Sequence, residues 1–345
     1  LGLQNYLLHT EMSGELLTEG EATASKPPRP IQRETNWPLV LFYIYLHMSA
    51  LYGLMLAVSH ARIYTMLFGL ILTMLGTVSI TAGCHRLWAH STYKAVWPLR
   101  LLLVTLHTLC CHGSVYDWVR EHRAHHKLRN TDYDKFDYRK GFMFAHILSH
   151  CITTDSRIER EEEKVDMGDV EQDSIVMWQK RLYWLAMPVV GLLLPINAPV
   201  EYWGESVLVS VFVVGFLRLT ILWHAAWLVN SANILWGLDP TDRKSGDTIL
   251  VFFFEKSLWP QYHYLLPWDY KSGEYGGYGT GLSTALIRVW AALGVAHELT
   301  TCSSTGVKRA LATASATGRP ALECLEENKS YATIPEVLDC TQHAA

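Results

Sequence analysis

Histidines form two short clusters in this 345-residue chain. His122, His125 and His126 lie in the segment EHRAHHKLRN, three and four residues apart. Residues at these spacings share one face of an α-helix, so the three imidazoles would reach a common centre. Neutral imidazole is the commonest metal ligand, and packing alone has no use for this spacing. The cluster therefore predicts a metal site, whereas any single one of the 16 histidines would be interpreted as an ordinary interfacial residue.

His85 and His90 form the second cluster, in the segment HRLWAH. Five residues turn an ideal α-helix through about 500°, so these side chains would point about 140° apart. They would share a metal site only with help from the chain beyond the end of the helix. Ligation by nitrogen alone suits iron, zinc, copper or nickel, and the sequence does not choose among these metals.

Long apolar segments must position the two clusters. Half of the residues are hydrophobic and 18% are charged. Four segments reach the roughly 20 residues that a helix needs to cross hydrocarbon. They lie at about 38–60, 63–83, 182–203 and 207–229. The sequence thus predicts an all-α integral membrane protein with four transmembrane helices in two hairpins, and Arg218 in the last helix would have to face protein or water.

Charge and composition organise the rest of the chain. An even number of crossings puts both termini on one side, and most of the charge lies in the terminal tails and in residues 84–180. That side is expected to be the cytosol and to carry a helical cap with the histidine clusters. The apolar run 97–113 is expected to lie along the membrane interface. Around a membrane domain at 37–300, residues 1–36 and 301–345 are predicted to be flexible tails.

Net charge and cysteine usage exclude two classes of protein. The net charge of −4 argues against a nucleic-acid-binding protein, which would normally carry a basic face. The seven cysteines show no paired spacing, so they are interpreted as reduced thiols and not as a disulfide framework.

Six segments resemble the membrane fatty acyl-CoA desaturases of animals, of the stearoyl-CoA or delta-9 type and particularly the insect forms. These segments lie at 80–91, 97–103, 117–127, 173–180, 227–232 and 267–271. The resemblance implies a multi-pass protein of the endoplasmic reticulum membrane with both termini in the cytosol. Family members use molecular oxygen, two iron ions and electrons from a b-type cytochrome to introduce a double bond into a fatty acyl-CoA, in unsaturated fatty acid biosynthesis.

The resemblance also implies roles for particular residues. The iron ligands would be His85, His90, His122, His125, His126 and His263, with Asn230 acting through water. Arg120 and Trp118 would meet the acyl-CoA, although Arg120 would equally pair with Asp117 or Glu121, and Trp118 would equally pack.

The chain departs from the family pattern at three ligand positions. The third cluster reads HNYHH in the family and PQYHY here, so Pro260 and Tyr264 replace histidines and His263 remains. Ile234 occupies a further ligand position. Proline and isoleucine cannot bind a metal, and tyrosine is a hard anionic ligand. Three other histidines are candidate substitutes: His107 and His112, expected near the lipid headgroups, and His224, which lies about 15 Å along a helix from Ile234 and is too far away to replace it.

The substrate side departs as well. Residues 153–164, TTDSRIEREEEK, replace a basic run that meets the CoA phosphates in the family, and acids repel such an anion. Alternatively, residues 159–163 form an ordinary solvated helix face. Three functions remain open: a desaturase with a modified site, a non-catalytic member that keeps the membrane scaffold to bind lipid or a partner, and a related membrane oxidase or hydroxylase with one metal or a shifted pair.

Overall fold

The computed structural model describes residues 31–235, 262–272, 279 and 281–332. Within these residues, four helices are long and apolar enough to cross a membrane. We call them spans 1 to 4: Trp37–Ser59, Ile63–Ala89, Ser174–Trp203 and Val207–Ala232. The prediction of an all-α membrane protein with four spans is confirmed. Span 2 continues to Ala89 instead of ending at 83, and span 3 begins at Ser174 instead of 182.

The spans present apolar side chains outward and pack closely inside. Leu41, Met48 and Val58 of span 1 are 63%, 61% and 82% exposed. A surface of this kind is unfavourable in water and suits lipid. On the inner side, a Cβ atom at Gly53 would overlap the backbone carbonyl of Phe212 in span 4. Only glycine therefore allows spans 1 and 4 to approach this closely.

The two hairpins are joined at the ends of the spans that lie opposite the histidine clusters at 85–90 and 122–126. Gly204 ends span 3 with a left-handed backbone conformation at a φ of 65°, which glycine adopts without strain. The following Glu205 accepts hydrogen bonds from the Arg62 amide at 2.8 Å and the Thr65 hydroxyl at 2.6 Å. One buried carboxylate thus ties the start of span 2 to the turn between spans 3 and 4.

Shorter helices and small sheets form a cap over the other ends of the spans. The helices, numbered in chain order, are α1 Trp97–Thr108, α2 Val115–Leu128, α3 Phe142–His146, α4 Ser156–Glu162, α5 Gly168–Glu171, α6 Tyr262–Leu265, α7 Leu282–Ala292, α8 Ser304–Thr317 and α9 Ala321–Glu326. Single turns of 3₁₀-helix occur at Tyr138–Lys140 and Leu148–Cys151. The strands are β1 Glu34–Thr35, β2 Lys94–Ala95, β3 Ile152–Thr153, β4 Ala296–His297, β5 Thr300–Thr301 and β6 Ser330–Tyr331. They pair antiparallel as β1 with β3, β2 with β4 and β5 with β6.

The ends of the chain differ from the predicted flexible tails. Helices α8 and α9 follow residue 300, and β6 returns to pair with β5. Ala310 and Ala314, one helical turn apart, are fully buried on α8. Alanines bury this helix face without the larger apolar residues that mark amphipathic helices. The sequence pattern therefore did not predict the helix. Residues 34–35 likewise form β1 instead of belonging to a tail, while residues 1–30 and 333–345 lie outside the described part.

Arg218 faces protein, as the sequence predicts. The buried guanidinium donates hydrogen bonds to the backbone carbonyls of Val214 at 2.6 Å, Leu109 at 2.9 Å and Gly191 at 2.6 Å. Val214 and Gly191 lie in π-helical segments of spans 4 and 3, at Val211–Leu217 and Pro188–Leu193. The cation therefore joins two spans to the end of α1.

Replacement of this cation should destabilise the membrane domain. In Arg218→Met three buried carbonyls lose their donor, at about 1 to 3 kcal/mol each. We expect a total loss of at least about 3 kcal/mol, seen as a lower thermal unfolding temperature of the detergent-solubilised protein. Arg181→Met is the matched control, because Arg181 is exposed. Equal unfolding temperatures for the two variants would contradict this prediction.

Candidate metal centre

A π-helical segment places His85 and His90 on the same side. Span 2 changes from α-helix to π-helix at Ser79–Ala89, and the amide of His90 donates to the carbonyl of His85 at 3.1 Å. This bond joins residues five apart, as in a π-helix, a rare geometry that often occurs at functional sites. The two ring centroids lie 4.8 Å apart. The expected angle of about 140° is therefore wrong, because it assumed an ideal α-helix.

Helix α2 brings histidines against this pair. Ser114 begins the helix by accepting a hydrogen bond from the Asp117 amide at 3.2 Å. Two turns later, His122 Nε2 lies 2.8 Å from His90 Nε2, and the ring of His126 lies 4.5 Å from that of His90. The predicted common face of α2 therefore meets the end of span 2.

Helix α6 completes the group with His263. Its Nε2 atom lies 3.2 Å from Nε2 of His85 and 3.1 Å from Nε2 of His126. One potential ligand atom from each of His85, His90, His122 and His263 lies within 4.8 Å of the other three. We call these residues the four-histidine group, which gathers ligands from three separate segments of the chain.

Neighbouring residues hold the imidazoles in orientations suited to metal binding. The Nδ1–H of His122 donates to Oδ1 of Asn230 at 2.7 Å, so its Nε2 lone pair faces the group. Such an outer contact fixes the tautomer and direction of a metal-binding histidine. Burial first, and neighbouring histidines second, lower the pKa of His90, His122 and His126. The rings are therefore neutral, which is the form that binds a metal ion.

Comparison with known proteins identifies the family. No family model matches the chain. The chain is 39% identical to the acyl-CoA Delta-9 desaturase of Acheta domesticus over 289 residues, covering 83% of this chain and 80% of that protein. It is 36% identical to the acyl-CoA Delta-12 desaturase of Tribolium castaneum, with coverages of 89% and 87%. It is also 36% identical to stearoyl-CoA desaturase 4 of Mus musculus, with coverages of 86% and 84%. The chain belongs to the acyl-CoA desaturase family.

Within this desaturase scaffold, His125 has a different environment from the four-histidine group. Its Nδ1 lies 2.9 Å from Oδ1 of Asp134, and its Nε2 lies 3.0 Å from the hydroxyl of Tyr264. Burial raises the pKa of Tyr264, so the phenol is neutral and donates to His125. Tyr264, at the position where the resemblance implies a family histidine, thus bonds to a neighbouring ligand candidate. Of the two other lost positions, Pro260 and the side chain of Ile234 lie outside the described part.

The histidines considered as substitutes lie elsewhere. Nδ1 of His107 lies 3.2 Å from Sγ of Cys84, and His112 packs edge-on against Trp223 at 5.4 Å. His224 is hydrogen-bonded to other histidines of the membrane domain. In the described part of the chain, none of these three joins the four-histidine group.

The two expected substrate contacts are positioned differently. Trp118 is buried and stacks on the ring of His122 at 5.1 Å, so it covers one side of the four-histidine group. Arg120 is more exposed, and its guanidinium lies 3.7 Å from a carboxylate oxygen of Asp117. The alternative pairing of Arg120 is thus the one observed, while a role for either residue in substrate binding stays a prediction.

Two residues at this site were missed by sequence analysis. Asp134 orients His125, and Lys135 forms an ion pair with Glu121 on α2. Both lie in the segment DYDKFD, where the loop after α2 folds back on that helix. No spacing signal marks such a return.

Proposed function

We propose that this protein is an oxygen-dependent fatty acyl-CoA desaturase whose histidine cluster binds iron. The observation that carries the proposal is the four-histidine group, in which two buried and two partly buried imidazoles place ligand atoms within 4.8 Å of one another. Family membership supports both the iron and the acyl-CoA substrate. An iron centre, when bound, supplies the oxidising power for removing hydrogen from an unactivated methylene, which no side-chain acid or base can do.

The residues of the chain have distinct tasks in this proposal. His85, His90, His122 and His263 hold the metal, and His126 lies beside them. Asn230 orients His122 and is proposed to reach the metal through water. Trp118 excludes water from one side of the site, which suits chemistry that solvent would quench. Expression in desaturase-deficient cells, with iron and double bonds measured together, tests the proposal: no iron and no new double bonds would reject it.

By relation to the family, we also propose the setting of the reaction. The protein would lie in the endoplasmic reticulum membrane with both termini in the cytosol. A b-type cytochrome would deliver electrons to the cap, and the acyl-CoA would bind beside Arg120 and Trp118. Immunofluorescence after selective permeabilisation, and reduction assays with the purified cytochrome, test these two assignments separately.

The acid at the end of α4 predicts a pH-dependent affinity for acyl-CoA. Burial, and then Glu121, raise the pKa of Glu162 to about 7. Glu162 is therefore neutral below this pH and gains a negative charge above it, within the segment that is proposed to face the CoA phosphates. Acyl-CoA affinity should fall about three- to tenfold between pH 6 and pH 8. Glu162→Gln should remove this dependence, Glu163→Gln should not, and unchanged affinity in the wild type would contradict the prediction.

A second candidate function is a non-catalytic family member that binds lipid or a partner. Two observations favour it: Tyr264 bonds to His125 at a lost ligand position, and Glu162 faces an already paired Lys135 where the family is basic. The first change affects the proposed metal site and the second affects the proposed CoA-binding segment, while the membrane spans keep their full length. Two irons per purified chain would reject this candidate.

A further inference from the structure

Arg123 of α2 makes five hydrogen bonds beside the metal centre. Its Nε atom donates to the carbonyl of Ala89 at 3.1 Å, and Nη2 donates to the carbonyl of Trp88 at 2.7 Å. Nη2 and Nη1 also donate to the two carboxylate oxygens of Asp169 at 2.7 and 2.8 Å, and Nη1 donates to the carbonyl of Asp166 at 2.7 Å. A guanidinium group has five N–H donors, so these bonds use all of them. We call this set of bonds the Arg123 fork.

The Arg123 fork joins three segments of the chain. Its two carbonyl acceptors in span 2, Trp88 and Ala89, are the last residues of the π-helical segment. Its carboxylate acceptor, Asp169, belongs to α5. Carbonyls at the C-terminal end of a helix have no donor within that helix, and a cation there also meets the negative end of the helix dipole. The side chain from α2 therefore supplies donors that the end of span 2 lacks.

The Arg123 fork acts next to a close pair of ligand candidates. His90 follows Ala89 in span 2, and His122 precedes Arg123 in α2. The hydrogen bond from Arg123 to Ala89 thus connects the two backbones one residue away from two rings whose Nε2 atoms lie 2.8 Å apart. A displacement at the Arg123 fork would move these two ligand atoms relative to each other.

An ordinary surface ion pair does not explain this arrangement. The Arg123 side chain is only 16% exposed, and three of its five bonds go to backbone carbonyls. Binding of both Asp169 oxygens also fixes the plane of the guanidinium. Lysine would keep the charge but has three donors on a single nitrogen, so it could not reach all three segments at once. The pattern therefore indicates a role that depends on the shape of the guanidinium and not only on its charge.

We propose that Arg123 is a positioning residue that holds His90 and His122 at the spacing a shared metal ion requires. This inference rests on the proposed metal binding by the four-histidine group. The bonds to the two carbonyls of span 2 fix the end of the π-helical segment against α2, and Asp169 fixes the direction of the guanidinium. Arg123 acts through the backbone and does not touch the metal. Ligands that are held in place before an ion arrives bind it more tightly.

Cobalt binding to the purified, metal-free full chain tests this positioning role. Arg123→Met should lower the affinity for Co²⁺ about 10- to 100-fold, as the loss of other orienting contacts does, and should change the visible absorption of the bound ion. Arg123→Lys should restore neither property, because it keeps only the charge. Asp169→Asn, a milder change, should lower the affinity by less. Wild-type affinity in Arg123→Met, or full restoration in Arg123→Lys, would overturn the proposal.

Arg218→Met is the matched control for this experiment. It also removes a cation that donates to backbone carbonyls, but Arg218 bonds to spans 3 and 4 and to the end of α1, away from the four-histidine group. Measured below its unfolding temperature, this variant should bind Co²⁺ as the wild type does. An equal loss of Co²⁺ affinity in Arg218→Met and Arg123→Met would show that Arg123 contributes only general stability.

Hydrogen exchange separates failure of the positioning role from failure of the proposed function. The amides of His90 and Thr92 donate to carbonyls of the π-helical segment at 3.1 and 2.8 Å. In the metal-free protein, Arg123→Met should exchange these two amides at least about tenfold faster than Arg218→Met does. Equal exchange in the two variants would overturn the positioning role even if Co²⁺ affinity fell. Faster exchange in a protein whose wild type binds neither Co²⁺ nor iron would reject metal binding by the four-histidine group and not the Arg123 fork.

Discussion

Replacement of His122 by alanine is expected to abolish iron binding by the four-histidine group. His122 supplies one of the four ligand atoms, and it is also the partner of Asn230. Loss of an outer contact to a ligand commonly lowers metal affinity by about 10- to 100-fold, and loss of the ligand itself should lower it further. Alanine is the best helix former, so α2 should persist. Iron per purified chain and the affinity for ferrous iron measure the effect.

Two further variants separate ligand loss from general damage. Asn230→Ala should keep the ligand but release its orientation, with an intermediate loss of about 10- to 100-fold in iron affinity. His297→Ala removes an exposed histidine on β4 and should leave iron content unchanged. Desaturase activity in cells should follow the same order. Iron retained at wild-type stoichiometry in His122→Ala would show that the four-histidine group is not the metal site.

The sequence predicted the four spans because length and hydropathy determine whether a helix can cross a membrane. It also predicted the face of His122 and His126, since helical spacing is local information. Spacing alone did not predict that His85 and His90 would meet, although the resemblance named both as ligands, because the π-helical bond from His90 to His85 departs from the ideal α-helix. Rare backbone geometries of this kind are set by tertiary contacts and leave no simple spacing pattern.

The remaining differences have a related cause. Helix α8 is held by buried alanines, whose small side chains give little amphipathic signal. Lys135 and Asp134 reach α2 through a returning loop, and a loop path is decided by contacts distant in sequence. His47, His224 and His146 are likewise hydrogen-bonded in series, and only the packed spans bring these residues together. Local chemistry was therefore predictable, and long-range juxtaposition was not.

The two chemical departures of the site act on different parts of the reaction. The Tyr264 hydroxyl bonds to Nε2 of His125, so in the proposed function this nitrogen would be engaged and not available to a metal ion. In the proposed function the acids of α4 would act at the cap surface, where they would weaken attraction for phosphate without touching the histidines. Neither the Tyr264 departure nor the acids of α4 remove the membrane spans or the four-histidine group. We therefore propose that the four-histidine group binds one metal ion firmly and that a second ion would bind weakly.

Tyr264→His is expected to raise iron content and desaturase activity together. The new imidazole would stand beside Nε2 of His125, now 3.0 Å from the tyrosine hydroxyl, and within reach of His126. Three nitrogen ligands would then be available next to the four-histidine group. The guanidinium of Arg129, 3.6 Å from the centre of the Tyr264 ring, would keep the new ring neutral and therefore able to bind.

We expect iron to rise from about one per chain in the wild type to about two in Tyr264→His, with more double bonds formed in desaturase-deficient cells. Tyr264→Phe is the matched control, because it frees His125 from the hydroxyl without adding a ligand. Its iron content should stay near one per chain. A wild type that already holds two irons, or a Tyr264→Phe variant that gains as much iron as Tyr264→His, would contradict the view that the tyrosine limits this site by replacing a ligand.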